Sequence, residues 1–418
     1  MKQTSKNELL RVLAIYSPVI LVLIQILFDS DTVSLFPGIP RFGLFKDLSI
    51  IFDNASSCPI PLDQLYKTDC HINPTNIPLF LIAVARFFGL DQYDLFGFGL
   101  TLDVVTILLF STISRILLTG WSSVVFVWAC FLSFPFQLAL ERANSDLLML
   151  DLIVISVLVL GIRNRVVGFV VSIITLNIAV LSKIYPIVCM PVIVFQLLYG
   201  NLSRSYKRAL LIFSLLTTSI SCILTVPALS HTKNSLVDYS GGITYGVLVS
   251  PHPEENIIVL LSIKSLISLL TFLLSFKIFC SAASRTNGSY SDSDFFITSI
   301  FALSGSSVFM ASYFLFVSVS YRLVFISLII PFVMKTADFF CSSDSKFLSD
   351  QKIVPLFFVI LAICAGYSGY IQPASSDSKQ ELDLFINLLA LPSLIGLSAS
   401  VFISNIYAKV SSTRNKMP

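Results

Sequence analysis

The residues in this chain best suited to chemistry are polar groups set among apolar ones. The densest group is ERANSD, Glu141 to Asp146, preceded by QLAL and followed by LLMLDL. It crowds Glu141, Arg142, Asn144 and Asp146 into one turn, with Asp151 inside the next apolar run. Arg142 and Asp146 are spaced i, i+4, and Asn144 and Asp151 i, i+7, so each pair shares a face if a single helix carries it. An unpaired carboxylate within a membrane span costs about 2.5–3.5 kcal/mol on insertion scales, so Asp151 is expected to face a water-filled cavity rather than lipid. A second group is RFGLFKDLSIIFDN, in which Asp47 and Asp53 stand among apolar residues. The segment can form a helix lying on a membrane surface, with Phe45, Leu48, Ile51 and Phe52 turned to lipid or to the protein core. A carboxylate held at that boundary is able to take a proton from a hydroxyl as general base. On composition alone the same segment reads as an amphipathic helix with solvated aspartates.

Two further stretches repeat the pattern. LSKIYP carries Lys183 and Tyr185, with Pro186 opening the next apolar run, and SVSYRLVF carries Tyr321 and Arg322. Arg142, Lys183 and Arg322 together would make a cationic pocket for a lipid phosphate or pyrophosphate, since guanidinium groups grip phosphate oxygens bidentately. Alternatively each snorkels singly to the membrane interface. His71, His231 and His252 are too far apart for a local metal motif, and neither a metal nor a cofactor is expected. YSGGITYG, Tyr239 to Gly246, is a glycine-rich turn of a common kind that can also line a sugar site.

The elements that must position these groups follow from composition. The chain is 55% hydrophobic and only 12% charged, half the charge of a typical soluble domain. Apolar segments recur at 12–28, 77–90, 95–113, 121–140, 147–162, 166–181, 184–199, 209–226, 257–276, 295–317, 323–334, 354–370 and 384–406. The first of these lacks a small-residue cleavage site and reads as a retained span rather than a signal peptide. Segment 77–90 is short, holds Arg86 and follows Pro74 and Pro78, so it is expected to lie at the interface.

The expectation is an all-α polytopic membrane protein of about twelve transmembrane helices with both termini cytoplasmic. Seventeen basic and six acidic residues then fall on the inner side, a net +11, and ten basic and sixteen acidic on the outer side, a net −6; Asp103 and Asp151 lie within spans and complete the formal +3. Letting 77–90 span would move Arg163, Arg165, Arg204, Lys207 and Arg208 to the outside, against the positive-inside rule. The outer face thereby gains loop 29–94, ERANSD, the turns at Lys183 and Arg322, and loop 227–256. The inner connectors are short and basic. No glycine-rich nucleotide loop is present, so the chemistry is expected outside the cytoplasm without ATP, and no nucleic-acid partner is expected. Cys58 and Cys70 share the first outer loop and can form a disulfide worth about 3 kcal/mol if that loop is extracytoplasmic.

In order along the chain, these motifs resemble the GT-C superfamily of integral-membrane glycosyltransferases, most closely glycosyltransferase family 87, the polyprenyl-phosphate mannosyltransferase-like group. The carrying residues are FKDL with Asp47, LYKTDCHINPTNIP followed by LFLIAVARFFGL, ERANSD with Ala143 in the place of a glycine, KIYP and YRLVF. FKDL departs from the pattern in having Lys46 where an apolar residue is common, and the stretch before the juxtamembrane helix lacks N-Y-P. The resemblance implies a single polytopic membrane domain over 1–418. Residues 1–226 would form a GT-C-like catalytic module with outer loop 29–94 and its juxtamembrane helices, and 227–418 would add C-terminal helices.

The resemblance also implies a polyprenyl-phosphate sugar donor, with a hexose such as mannose passed to a glycan or glycolipid acceptor outside a bacterial inner membrane. Asp47 would be the catalytic base. Glu141, Arg142, Asn144, Asp146, Lys183, Tyr185, Tyr321 and Arg322 would bind substrate. Two other readings remain open. Intramembrane Asp103 and Asp151 also suit a transporter or lipid flippase, although the two halves of the chain show no similarity of the kind transporters carry. An inactive assembly partner that keeps the fold is the third.

Overall fold

The computed structural model describes residues 2–28, 45, 48–49, 51–52, 84–85, 87–91, 93–141, 143, 145–199, 202–231, 262–263, 265–273, 275–276, 293–315, 323–342, 394–401 and 403–404. Among the described residues the chain is helical and has no strand. The principal helices are α1 (Lys2–Phe28), α2 (Leu95–Leu117), α3 (Ser122–Phe131), α4 (Phe134–Glu141), α5 (Ser145–Leu158), α6 (Arg165–Ser182), α7 (Met190–Tyr199), α8 (Arg204–His231), α9 (Ser293–Leu315) and α10 (Ile330–Ser342). Tight 3-10 turns at Val159–Gly161, Tyr185–Cys189 and Leu323–Leu328 join or precede them.

Among the described residues, four helices are long and apolar enough to cross a membrane, at Asn7–Ile24, Leu95–Leu117, Arg165–Ser182 and Arg204–Leu224. Their outward faces are apolar: Leu9, Leu13, Ile20 and Ile24 on α1, and Ile212, Leu215, Leu216, Ile220, Ile223 and Leu224 on α8, are all exposed. Patches of that extent suit a lipid environment, where helices satisfy their own backbone groups. The described architecture is thus that of an all-α protein compatible with a membrane.

Proline positions account for several departures from uniform spans. Segment 121–140 is two helices, because the chain turns at Leu132 and Ser133 before Pro135 enters the first turn of α4, where its missing N–H is no loss. Ser133 Oγ donates to the Cys130 carbonyl at 2.7 Å, and the Gln137 amide donates to that of Phe131. Segment 184–199 likewise opens as a 3-10 turn around Pro186 before α7. Segment 323–334 opens as a 3-10 turn, and α10 then runs on to Ser342. Within α1, Pro18 cannot donate to the Ala14 carbonyl. The Ala14 carbonyl accepts instead from Ser17 Oγ within α1 at 2.9 Å and from Trp128 Nε1 of α3 at 3.0 Å, and Ser111 Oγ of α2 donates to the neighbouring Ile15 carbonyl, also at 3.0 Å. A backbone defect therefore becomes the seam between α1 and the rest of the molecule.

Helices α5 and α6 are antiparallel, since Asp146 in the first turn of α5 meets Lys183 just past the end of α6. At 1.5 Å per residue, the 18 residues of α6 span roughly 27 Å, close to a hydrocarbon core of about 30 Å. Asn164 caps α6 by accepting from the Val167 amide at 3.3 Å. The exposed arginines Arg163 and Arg165 lie at this end, a full helix length from Asp146. Asn177 of α6 ties α8 alongside, donating to Thr217 Oγ1 at 3.1 Å and accepting from Ser221 at 2.9 Å. Helix α8 runs back along α7, with Lys207 Nζ donating to the Leu198 carbonyl at 2.7 Å and Ser214 Oγ lying 3.2 Å from Met190 Sδ, and so shares the direction of α6. Arg204 and Arg208, exposed in the first turns of α8, therefore join the basic end.

Residues 84–85 and 87 are helical, and the segment turns out at Gly89 with φ 65°, a conformation glycine adopts without strain. Phe87 and Phe88 are exposed there, and residues 77–83 and 86 of the segment lie outside the described residues.

Candidate functional site

The polar ERANSD turn sits between α4 and α5. Helix α4 ends at Glu141, α5 begins at Ser145, and Ala143 between them is fully buried with φ 42°. The left-handed residue breaks the helix, so Arg142 and Asp146 are not an i, i+4 pair on one helix, as their spacing had suggested. An L-residue in this conformation is strained by about 1–2 kcal/mol.

Asp146 is 2% exposed yet lies in the first turn of α5, where the helix dipole favours negative charge. Lys183 forms an ion pair with Asp146 Oδ1, and the Tyr185 hydroxyl donates to the same oxygen at 2.9 Å. Lys183 reaches this position because α6 ends there: its amide closes the last turn on the Ala179 carbonyl at 2.8 Å, and its own backbone is extended. Pro186 then starts the 3-10 turn that carries Tyr185 inward. The Tyr185 ring packs edge-on against Phe325, with centroids 5.7 Å apart. Phe325 belongs to the YRLVF motif.

The FKDL motif meets the same region from the other side. The Phe45 amide donates to the Glu141 carbonyl at 2.8 Å, and the Ser49 amide donates back to the Phe45 carbonyl at 2.9 Å. Phe45, Leu48, Ile51 and Phe52 are all at most 3% exposed, so they face the core rather than lipid. The Phe45 ring lies near Phe96, and that of Phe52 near Phe98, on the first two turns of α2.

The described parts of four separated motifs therefore form one chain of contacts: Phe45 to Glu141, Asp146 to Lys183 and Tyr185, and Tyr185 to Phe325. Asp146, Lys183 and Tyr185 come together directly, and half-buried Glu141 sits one turn of chain away. Asp47, Arg142, Asn144, Tyr321 and Arg322 lie outside the described residues, as do Asp53, Cys58 and Cys70.

A second polar group was legible only in part. Asp151, expected to face a water-filled cavity, is 2% exposed and accepts a hydrogen bond from Thr106 Oγ1 of α2 at 2.8 Å. It is packed within protein because α2 and α5 lie against each other. Asp103, one turn before Thr106, is equally buried. The partnership of Thr106 with Asp151 spans 45 residues, and nothing in either local sequence signals it. The same is true of Gly99, whose hydrogen faces the Phe45 ring. A Cβ there would lie 2.6 Å from ring carbons.

Chemically, the Asp146 cluster offers a lysine ammonium and a tyrosine hydroxyl held in fixed positions by one buried carboxylate. That arrangement can bind an anionic group and orient it; among the described residues there is no group of three or more His, Cys, Asp or Glu able to hold a metal ion. No protein-family model, no curated protein and no solved structure matches the chain.

Proposed function

We propose that this protein is a membrane glycosyltransferase of the GT-C type, most like family 87, that moves a hexose from a polyprenyl phosphate to a glycan or glycolipid hydroxyl. The reading includes twelve spans, cytoplasmic termini, a bacterial inner membrane and an extracytoplasmic site. The observation that carries it is the contact chain joining FKDL, ERANSD, KIYP and YRLVF, four motifs scattered over nearly 300 residues. Unrelated polar turns have no reason to converge.

In this reading Asp47, two residues from Phe45, takes the proton of the acceptor hydroxyl. The hydroxyl oxygen bonds to the anomeric carbon as the bond from that carbon to the phosphate oxygen breaks. The electron pair leaves with the lipid phosphate, whose charge is met by Lys183 with Arg142 and Arg322. Asp146 and Tyr185 hold the lysine in place. The acceptor proton ends on Asp47 and is lost to water.

The test supplies membrane vesicles containing the protein with polyprenyl-phosphate mannose, or its glucose counterpart, labelled in the sugar. Label entering endogenous glycan or glycolipid is counted. Asp47→Asn is expected to lower transfer by about 10²–10⁴-fold, the usual contribution of a general base. Transfer at the wild-type rate would sink the base assignment. Buried Asp103 and Asp151 favour transport as the second reading. Movement of labelled lipid across the vesicle membrane with no label transferred would support it.

A further inference from the structure

The segment that carries FKDL meets the helices most closely at Phe45. Phe45 has φ 57°, a left-handed conformation that a bulky residue adopts only when its surroundings impose it. Its ring is 1% exposed and lies on α2 at Gly99, where a Cβ would sit 2.6 Å from Cγ and Cδ2 and 2.8 Å from Cδ1. A ring cannot yield at Cγ as the tip of a long side chain can, so any larger residue at 99 must displace Phe45 itself. The same residue's amide is bonded to the Glu141 carbonyl, and its carbonyl accepts from Ser49. The ring, the strained backbone and the two hydrogen bonds are therefore one device.

We propose that Gly99 is a positioning residue: it provides the notch for the Phe45 ring and thereby sets the FKDL segment in register against the ERANSD turn. The inference rests on the reading of Asp47 as base for its functional consequence, but not for its geometry. Asp47 follows Phe45 by two residues in the sequence, so on that reading a displaced Phe45 disturbs the segment that carries the base. Catalysis is sensitive to such displacement, because the proton acceptor must stay within hydrogen-bond reach of the reacting hydroxyl.

Two measurements separate the claims. Amide hydrogen exchange of the 45–52 segment in the purified full-length protein reads the geometry. Gly99→Ala is expected to speed exchange of the Phe45 and Ser49 amides by about tenfold or more, through easier local opening. Added to Phe45→Ala, which leaves no ring to collide with, Gly99→Ala is expected to change exchange no further. Wild-type protection in Gly99→Ala overturns the proposal, as does an equal effect of Gly99→Ala with and without the Phe45 ring. The vesicle transfer assay then reads the consequence. Gly99→Ala should lower kcat by about tenfold or more with KM for polyprenyl-phosphate mannose unchanged, because the notch touches no donor group. If Asp47→Asn is inactive and Gly99→Ala keeps the wild-type kcat, the positioning role fails and the glycosyltransferase reading stands. If exchange responds as expected but Asp47→Asn transfers sugar normally, the notch stands and the glycosyltransferase reading fails.

Discussion

Replacing Lys183 by methionine removes the ammonium that neutralises Asp146 while keeping a side chain of similar length. The carboxylate is 2% exposed, and the lysine side chain 12% exposed, so both partners are largely withdrawn from water. Breaking one side of a buried pair costs about 3–5 kcal/mol, because the remaining charge is left without its counterion. The Tyr185 hydroxyl and the first-turn position in α5 continue to support the carboxylate, which points to the lower end, about 3 kcal/mol. Tyr185→Phe removes a single hydrogen bond to a charged acceptor and should cost about 1.5–3 kcal/mol. The combined Asp146→Leu, Lys183→Met variant removes both charges together and should recover most of the loss, since a buried pair and its apolar replacement are often near parity. Reversible unfolding of the purified protein in mixed micelles measures these three together with Asp146→Leu alone. The reasoning is refuted if Lys183→Met unfolds at the wild-type midpoint, or if the double variant is as unstable as the two single losses added together.

Other expectations follow from the same packing. Thr106→Val removes the hydroxyl that donates to buried Asp151 and should destabilise by about 1–3 kcal/mol, with Thr106→Ser much closer to wild type in the same unfolding assay. Gly305→Ala would place a Cβ 2.6 Å from the Phe325 carbonyl oxygen and 2.9 Å from Leu328 Cβ, so α9 must shift from the turn bearing YRLVF; a loss of about 1–3 kcal/mol is expected in thermal melts. For sidedness, cysteines at Tyr93 and Asn164 suit labelling because both positions are exposed, whereas Ser145 is buried. Impermeant maleimide should reach Tyr93→Cys from outside intact cells and Asn164→Cys only after the membrane is opened. The reverse pattern would return segment 77–90 to a span.

Much of the architecture is legible in the residues themselves. Helices α2, α6 and α8 are long apolar stretches, and their composition and length suffice to call for membrane-compatible helices. Prolines 135 and 186 are visible as interruptions, but a hydropathy count reads through them, because the residues on either side stay apolar. The ERANSD spacing misled for a related reason. Helical periodicity assumes an unbroken helix, and the left-handed turn at Ala143 depends on how α4 and α5 pack rather than on alanine's own preference.

Residue types alone determined that buried charge would need partners, since Asp146, Asp151 and Asp103 are written into apolar sequence and none can be left there at low cost. Which partners they take was decided by tertiary structure. Lys183 and Tyr185 reach Asp146 across 37 and 39 residues because α5 and α6 run antiparallel, and Thr106 reaches Asp151 because α2 packs beside α5. Local sequence encodes helix, turn and polarity over a few residues. Pairings over tens of residues depend on which helix faces meet, and only the assembled core specifies that.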